Sequence, residues 1–199
     1  MKILLEEELK LLTSESFFHT KRSLENKILD QLNEASQNIG HLLNLNSWRL
    51  PSEINSIAPK ISKGQNYLGF PWMILDHPRV FSKNDVFAIR TLCWWTQGIS
   101  CTMHLSGKYF RQYIPEIRRK NEVIRNSDLF IGINDDPWLH HFGNDNFTQI
   151  KSSQFPELLL ENTEKRGFIK LMRRFPITDV LKLPDHAHQF TETCLDFLF

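Results

Sequence analysis

Glycine is scarce in this chain, with 8 in 199 residues, and no spacing among them forms a GxGxxG, a P-loop or a GxSxG elbow. Those patterns serve dinucleotides, nucleoside triphosphates and serine nucleophiles, so their absence removes three common enzyme signatures. Cysteine is equally sparse. Cys93, Cys101 and Cys194 make an odd set without a CxxC, which fits free, buried thiols in a reducing compartment and hence a cytoplasmic protein. Charge of one sign is lacking too: 24 basic residues face 23 acidic ones, so the basic excess of a nucleic-acid module is missing. No apolar run approaches the 18 residues of a membrane span. The start, Met-Lys-Ile-Leu-Leu, turns acidic at Glu6, too soon for a secretory signal.

What is present is apolar and aromatic. Hydrophobic residues make up 41% of the chain and aromatics 12%, enough for the core of one domain that needs neither disulfide nor structural metal. A single domain over 1–199 is expected, with a helical segment at 1–40, an ordered crossing loop at 41–66 and an α+β core at 67–199. The stretch from Tyr67 to Phe110 holds three of the five Trp, two of the three Cys and two of the eight His. A core and a binding site would both draw on it.

Leu24, Ile28, Leu32, Ala35 and Ile39 recur at three- and four-residue spacing, which predicts a helix over 14–38 with Gly40 as its stop. Strands are predicted over 67–77, 86–95 and 99–106, and Gln97-Gly98 reads as a two-residue hairpin turn. A middle helix follows over 109–125, entered or kinked at Pro115. A strand at 129–133 ends in the turn Asn134-Asp135-Asp136-Pro137. Beyond it, 147–155 is ambiguous, 156–165 reads as helix and 168–175 as strand. A C-terminal helix runs to Leu198 with Asp185 as its cap. The fold class is therefore α+β: a central, mainly antiparallel sheet, a meander around 67–106, packed by N-terminal, middle and C-terminal helices.

The hairpin register makes a testable site. With Gln97-Gly98 as the turn, Trp95 faces Ser100, Cys93 faces Thr102 and Thr91 faces His104. One face then carries Leu92, Trp94, Ile99, Cys101, Met103 and Leu105 and is core. The other carries Thr91, Cys93, Trp95, Thr102 and His104, small polar groups around two large rings, as on the floor of a pocket. Asp76 and His77, at the end of the preceding strand, complete the candidate pocket. This register puts Cys93 and Cys101 on opposite faces, which disfavours a disulfide.

Other constellations are weaker. The candidate metal ligands Asp76, His77, His104, His140, His141, His186 and His188 show no HExxH, and their close pairs diverge in a helix, so no metal or other cofactor is expected. A Cys93 thiolate beside His104 would be only a diagonal pair. Arg111, Arg118 and Arg125 repeat every seven residues and form a candidate anion-binding stripe on the helix over 108–125. Glu122 interrupts it, and no aromatic residues are interleaved for base stacking.

These features favour a non-catalytic binding or interaction protein, one that self-associates through its surplus of Trp, Phe and Met. The first alternative is a small-molecule binder or enzyme with its pocket on the Cys93/Trp95/His104 face. The second is an anion- or nucleic-acid-binding module using the basic helix. The first is tested by whether His104 lines a cavity, the second by salt-dependent affinity.

Overall fold

The computed structural model describes residues 4–150 and 165–199. Two helices open the chain, α1 (Glu6–Leu12) and α2 (Glu15–Leu45), followed by a short α3 (Ser52–Ser56). Four strands then form a meander: β1 (Lys60–Tyr67), β2 (Phe70–Phe81), β3 (Val86–Trp94) and β4 (Gly98–Ser106). Helices α4 (Gly107–Arg119) and α5 (Asn121–Arg125) precede β5 (Phe130–Gly132), β6 (Phe147–Gln149) and β7 (Phe168–Phe175). A 3-10 turn at Ile177–Lys182 leads into α6 (Leu183–Leu198). The strands make one antiparallel sheet in the order β1-β2-β3-β4-β7-β5-β6. The fold is thus α+β with an antiparallel sheet, as the grouping of strand and helix signals predicts.

One face of the sheet lies under α2, α4 and α6. Leu32, Ala35 and Ile39 of α2 meet Met73 and Leu75 of β2, Phe87 and Ile89 of β3, and Met103 and Leu105 of β4 in a single apolar core. Helix α2 begins where Ser14 caps it, its side chain accepting a hydrogen bond from Phe17 N at 3.2 Å. It does not stop at Gly40. A Cβ there would come within 3.3 Å of His77 Cε1, so this glycine admits a close neighbour rather than a turn. The helix continues to Leu45 and ends where the Asn46 side chain donates to Leu42 O at 2.9 Å.

The crossing loop expected over 41–66 is corrected in its second half, where β1 forms the sheet edge. Its sequence, Lys-Ile-Ser-Lys-Gly-Gln-Asn-Tyr, is polar because little of it is buried. The middle helix is also corrected: it breaks at Lys120, so Arg125 sits on α5 and the seven-residue stripe is not carried by one helix. The C-terminal helix starts at Leu183, with Pro184 in its first turn and Asp185 following, so Lys182 rather than Asp185 holds the cap position. Residues 147–149 and 168–175 are strands, whereas the helix expected at 156–165 falls almost wholly outside the described residues.

The hairpin register is the correction with the largest consequence. Trp94 pairs with Gly98 and Cys93 with Ile99, so the loop is Trp95-Thr96-Gln97, three residues long. Thr96 (φ 65°) and Gly98 (φ 133°) supply the positive φ values that close it, and a Cβ at Gly98 would lie 2.9 Å from Phe175 O. Relative to the predicted turn the pairing shifts by an odd number of residues, and an odd shift turns one strand over with respect to its partner. The assignment of β4 therefore stands and that of β3 inverts. Thr91 and Cys93 face the helices, while Leu92 and Trp94 cross to the open face. Cys93 and Cys101 share the helix-side core as free thiols.

Candidate functional site

The face of the sheet away from the helices is built by even-numbered residues of β2, β3 and β4, and a bulge in β2 extends it. Asp76 pairs with Arg90 and Arg79 with Ala88, so His77 and Pro78 together oppose a single residue of β3. That extra residue keeps Asp76, Arg79 and Phe81 on one face, although Asp76 and Arg79 are three apart. His77 points the other way, its Nδ1 3.3 Å from Ser36 Oγ of α2.

Over this face folds the segment from Ile133 to Asn146. Two side-chain turns shape its start: Asn134 Oδ1 accepts from Asp136 N at 2.9 Å, and Asp136 Oδ1 from Trp138 N at 2.8 Å. One phenol pins its middle, because Tyr67 Oη accepts from His140 N at 2.9 Å and His141 N at 3.1 Å. The result is an open groove of about 520 Å³ between the outer strands and this segment. Trp72 and Tyr67 form one wall and Phe81 and Trp138 the other, with Ile74 and Leu92 on the floor. Behind Trp138 lies a second, far smaller chamber lined by Arg90, Thr102, His104, His140 and Lys170.

The polar groups of the two spaces form one network. Arg90 grips Asp76 in a two-pronged pair, Nε to Oδ1 at 2.7 Å and Nη2 to Oδ2 at 2.9 Å. Its remaining Nη1 donates to His140 Nε2. A guanidinium only donates, so His140 presents a lone pair at Nε2 and is neutral with its proton on Nδ1. Burial pushes that imidazole down to about 2, and the adjacent Arg90 adds to the effect. Burial likewise holds His104 at about 3, with Lys170 and Arg90 contributing. Lys170, only 2% exposed, lies directly across from His104 on β7 and donates to Leu139 O. Burial and then Arg90 lower its ammonium to about 8, so it is still charged at neutral pH. Its Nζ sits 4.8 Å from the centroid of the Phe147 ring, a cation–π contact.

Charge in and around the groove is one-sided. Lys60, Arg79 and Arg90 line it against Asp76 alone, and Lys170 sits just behind. Arg79 is held at the rim by its Nε donating to Ala58 O at 2.8 Å. No family model, curated protein or solved structure matches this chain. Both oxygens of Asp76 are occupied by Arg90, and Nε2 of His140 is spent on the same guanidinium. These two groups are thus engaged in holding the walls, whereas Nε2 of His104 in the smaller chamber has no partner. Among the described residues no three His, Cys, Asp or Glu side chains gather as a metal site.

Of the residues singled out from the sequence, Asp76, Thr102 and His104 lie on the open face and line these spaces. His77, Thr91 and Cys93 lie on the opposite, helix side. Trp95 lies in the hairpin loop, beside a separate apolar groove. The Cys93–His104 pairing considered for nucleophilic chemistry is thereby divided by the sheet. Burial pushes the thiols of Cys93 and Cys101 up to about 12, the inert end of cysteine chemistry. Arg111 and Arg118 are exposed on α4 and Arg125 is half-buried on α5. Their neighbours are engaged, with Lys108 on Glu53 at 2.7 Å and Arg119 on Glu116 at 2.6 Å.

Sequence reasoning missed Arg90, Lys170 and Tyr67, and weighed His140 only as a metal ligand. For two of them a signal existed. Arg90 in Val-Phe-Ala-Ile-Arg-Thr-Leu-Cys-Trp and Lys170 in Phe-Ile-Lys-Leu-Met are single charges inside apolar strands, and a charge is seldom buried without a task.

Proposed function

We propose that this protein binds a small, flat organic anion in the groove between β1–β3 and the 133–146 segment, without transforming it. The observation that carries this reading is the pairing of aromatic walls with a surplus of cations in about 520 Å³. Ligand pockets of 300–1,000 Å³, mainly apolar with a few placed polar groups, are typical of small-molecule sites. Aromatic carboxylates and nucleoside monophosphates meet these demands: a ring against Trp72 or Trp138 and an acid group toward Arg79 and Lys60. Three free, buried thiols support a reducing compartment, in keeping with a cytoplasmic protein. The test combines native mass measurement of the purified protein with calorimetric titration of salicylate and adenosine monophosphate. One of the two should bind below about 1 mM and its neutral counterpart, salicylamide or adenosine, at least about tenfold more weakly. Absence of any retained mass and of any binding in this panel would refute the reading.

A second observation favours self-association. No residue from Leu4 to Lys27 is buried: Leu9 and Leu12 of α1, with Leu5 at its cap, turn one side to solvent, and Phe17, Phe18 and Leu24 follow on α2. Near Leu24 runs an apolar groove of about 400 Å³ floored by Ile28, Trp95, Ile177 and Val180, with Lys27 in its lining. Helix α1 is acidic at Glu6, Glu7 and Glu8, which complements that lysine. A second copy of the chain, laying α1 into this groove and receiving the reciprocal contact, satisfies both surfaces. Sedimentation should give a dimer that Leu9→Glu with Leu12→Glu converts to monomer; a wild-type monomer at 100 μM would end the idea.

A further inference from the structure

The small chamber behind Trp138 has a chemical bias of its own. Its volume, about 10 Å³, admits one water-sized sphere. His104 is 7% exposed and its Nε2 faces no partner. Lys170 has three N–H bonds, of which one is directed at Leu139 O. Thr102 adds a hydroxyl beside them, one pair further along β4 and directly across from Arg90. Small neighbours leave the room. Ala88 is the residue of β3 opposite His104, and a Cβ at Gly132 would lie 3.1 Å from Lys170 Cβ.

The charges around the chamber do not balance. Arg90 is matched by Asp76 at 2.7 Å, whereas no carboxylate stands within ion-pair distance of Lys170 among the described residues. Asp136 acts on Lys170 only at long range and lies exposed in its turn. A buried ammonium with only a carbonyl and a ring for company is strongly penalised, and a single negative atom beside it removes most of that penalty.

We infer that the chamber seats one anionic atom, bound by Thr102, His104 and Lys170, with Trp138 as its outer wall. The atom is either a free halide or the terminal oxygen of the organic anion proposed for the groove, and the second source rests on that proposal. Trp138 is placed to close over it. Its ring lies edge-on to His104 at 5.4 Å, reaches Phe81 at 6.0 Å and is still 51% exposed on its outer side. Phe81, Arg90, Trp138 and His140 line both spaces, so an acid group lying in the groove needs only a side-chain rotation at Trp138 to reach the chamber.

The experiment starts from protein in a halide-free zwitterionic buffer at pH 7, titrated separately with sodium bromide and sodium acetate while its melting temperature is followed. Crystals soaked in bromide are measured at the bromine absorption edge. An anomalous peak touching Thr102 Oγ1, His104 Nε2 and Lys170 Nζ, with a saturable rise in melting temperature, supports the inference. Bromide saturating alone identifies a free halide; acetate saturating and displacing bromide identifies a ligand oxygen. Thr102→Val preserves the shape of the cavity and should weaken the saturating anion about tenfold, the effect of one hydrogen bond to a charge. Lys170→Met should abolish saturation. Carbon-13 resonances of Lys170 should show its titration moving up by a unit or more when the anion is added. A chamber holding only water at high bromide and acetate, or saturation unchanged in both variants, overturns the inference.

The two proposals fail separately. Salicylate or adenosine monophosphate bound equally well by Thr102→Val and Lys170→Met leaves the groove reading intact and removes its ligand oxygen as the chamber's occupant. Bromide in the chamber with no organic anion in the groove does the reverse.

Discussion

The two faces of the central sheet are made from the same strands and are opposite in chemistry. Toward the helices stand Phe87, Ile89, Cys93, Cys101, Met103 and Leu105, none of them charged, with Arg173 of β7, half-buried, across from Cys101. Toward the 133–146 segment stand Asp76, Thr102, His104 and Lys170, nearly as well buried, and the half-buried Arg90, among Trp94 and Leu92. The first face is stabilised by removing hydrocarbon from water and depends on filled volume rather than on particular polar partners. The second depends on named partners at fixed distances, where one lost member strands another. Burial alone does not separate a core from a site. The kind of partner that burial demands does.

That contrast is breakable at four levels, taken from the largest expected effect down. Phe87→Ala should destabilise by about 3–5 kcal/mol, the usual loss for a large aromatic from a packed core, in urea denaturation. It should leave groove affinity unchanged wherever the protein remains folded. Arg90→Met should lose about 2–3 kcal/mol, less than for a sealed pair because the arginine keeps some contact with solvent. Adding Asp76→Leu should recover most of that loss, whereas equal stability of single and double variants would show that the pair does not act as one unit.

Acidity offers the third comparison. His104 and His140 are held at about 3 and about 2 in the fold, below the ordinary imidazole value of 6.5. As pH falls below 6.5 the unfolded chain takes up protons that the folded chain refuses, so stability is full above that pH and drains toward pH 3. Each ring contributes a slope of at most about 1.4 kcal/mol per pH unit in that window. His104→Phe should flatten the curve by one proton's worth, and parallel curves from pH 7 to 4 would contradict the assignment. The smallest effect belongs to the rim. Arg79→Ala should shift stability by less than about 0.5 kcal/mol while weakening salicylate or adenosine monophosphate severalfold by calorimetry.

How much of this was legible in the sequence follows from the same two faces. The alternation Ile99-Ser100-Cys101-Thr102-Met103-His104-Leu105 announces which side of β4 is core, and the structure agrees residue by residue. The companion strand, Val-Phe-Ala-Ile-Arg-Thr-Leu-Cys-Trp, is buried on both faces, so its pattern fits either orientation and the turn must decide. Gly98 fits a three-residue loop as well as the two-residue turn expected, and that one difference turns β3 over. The polar β1 gave no periodic signal because an edge strand with one covered face needs little hydrocarbon. The groove itself was beyond local reading. Its wall is fastened through Tyr67 to His140, 73 residues away, and sequence spacing carries no record of such a contact.

The bulge at His77-Pro78 has a consequence for how this chain tolerates change in length. Upstream of it the even positions of β2 face the groove; downstream the odd positions do, so the strand carries two wave trains in opposite phase. Deleting a single codon there would restore one phase throughout. Arg79 and Phe81 would keep the rim and Val80 its place against the hydrocarbon under α2, because the residue lost is the one the bulge absorbs. The strand can thus lose one residue at this point without exchanging its inside and outside.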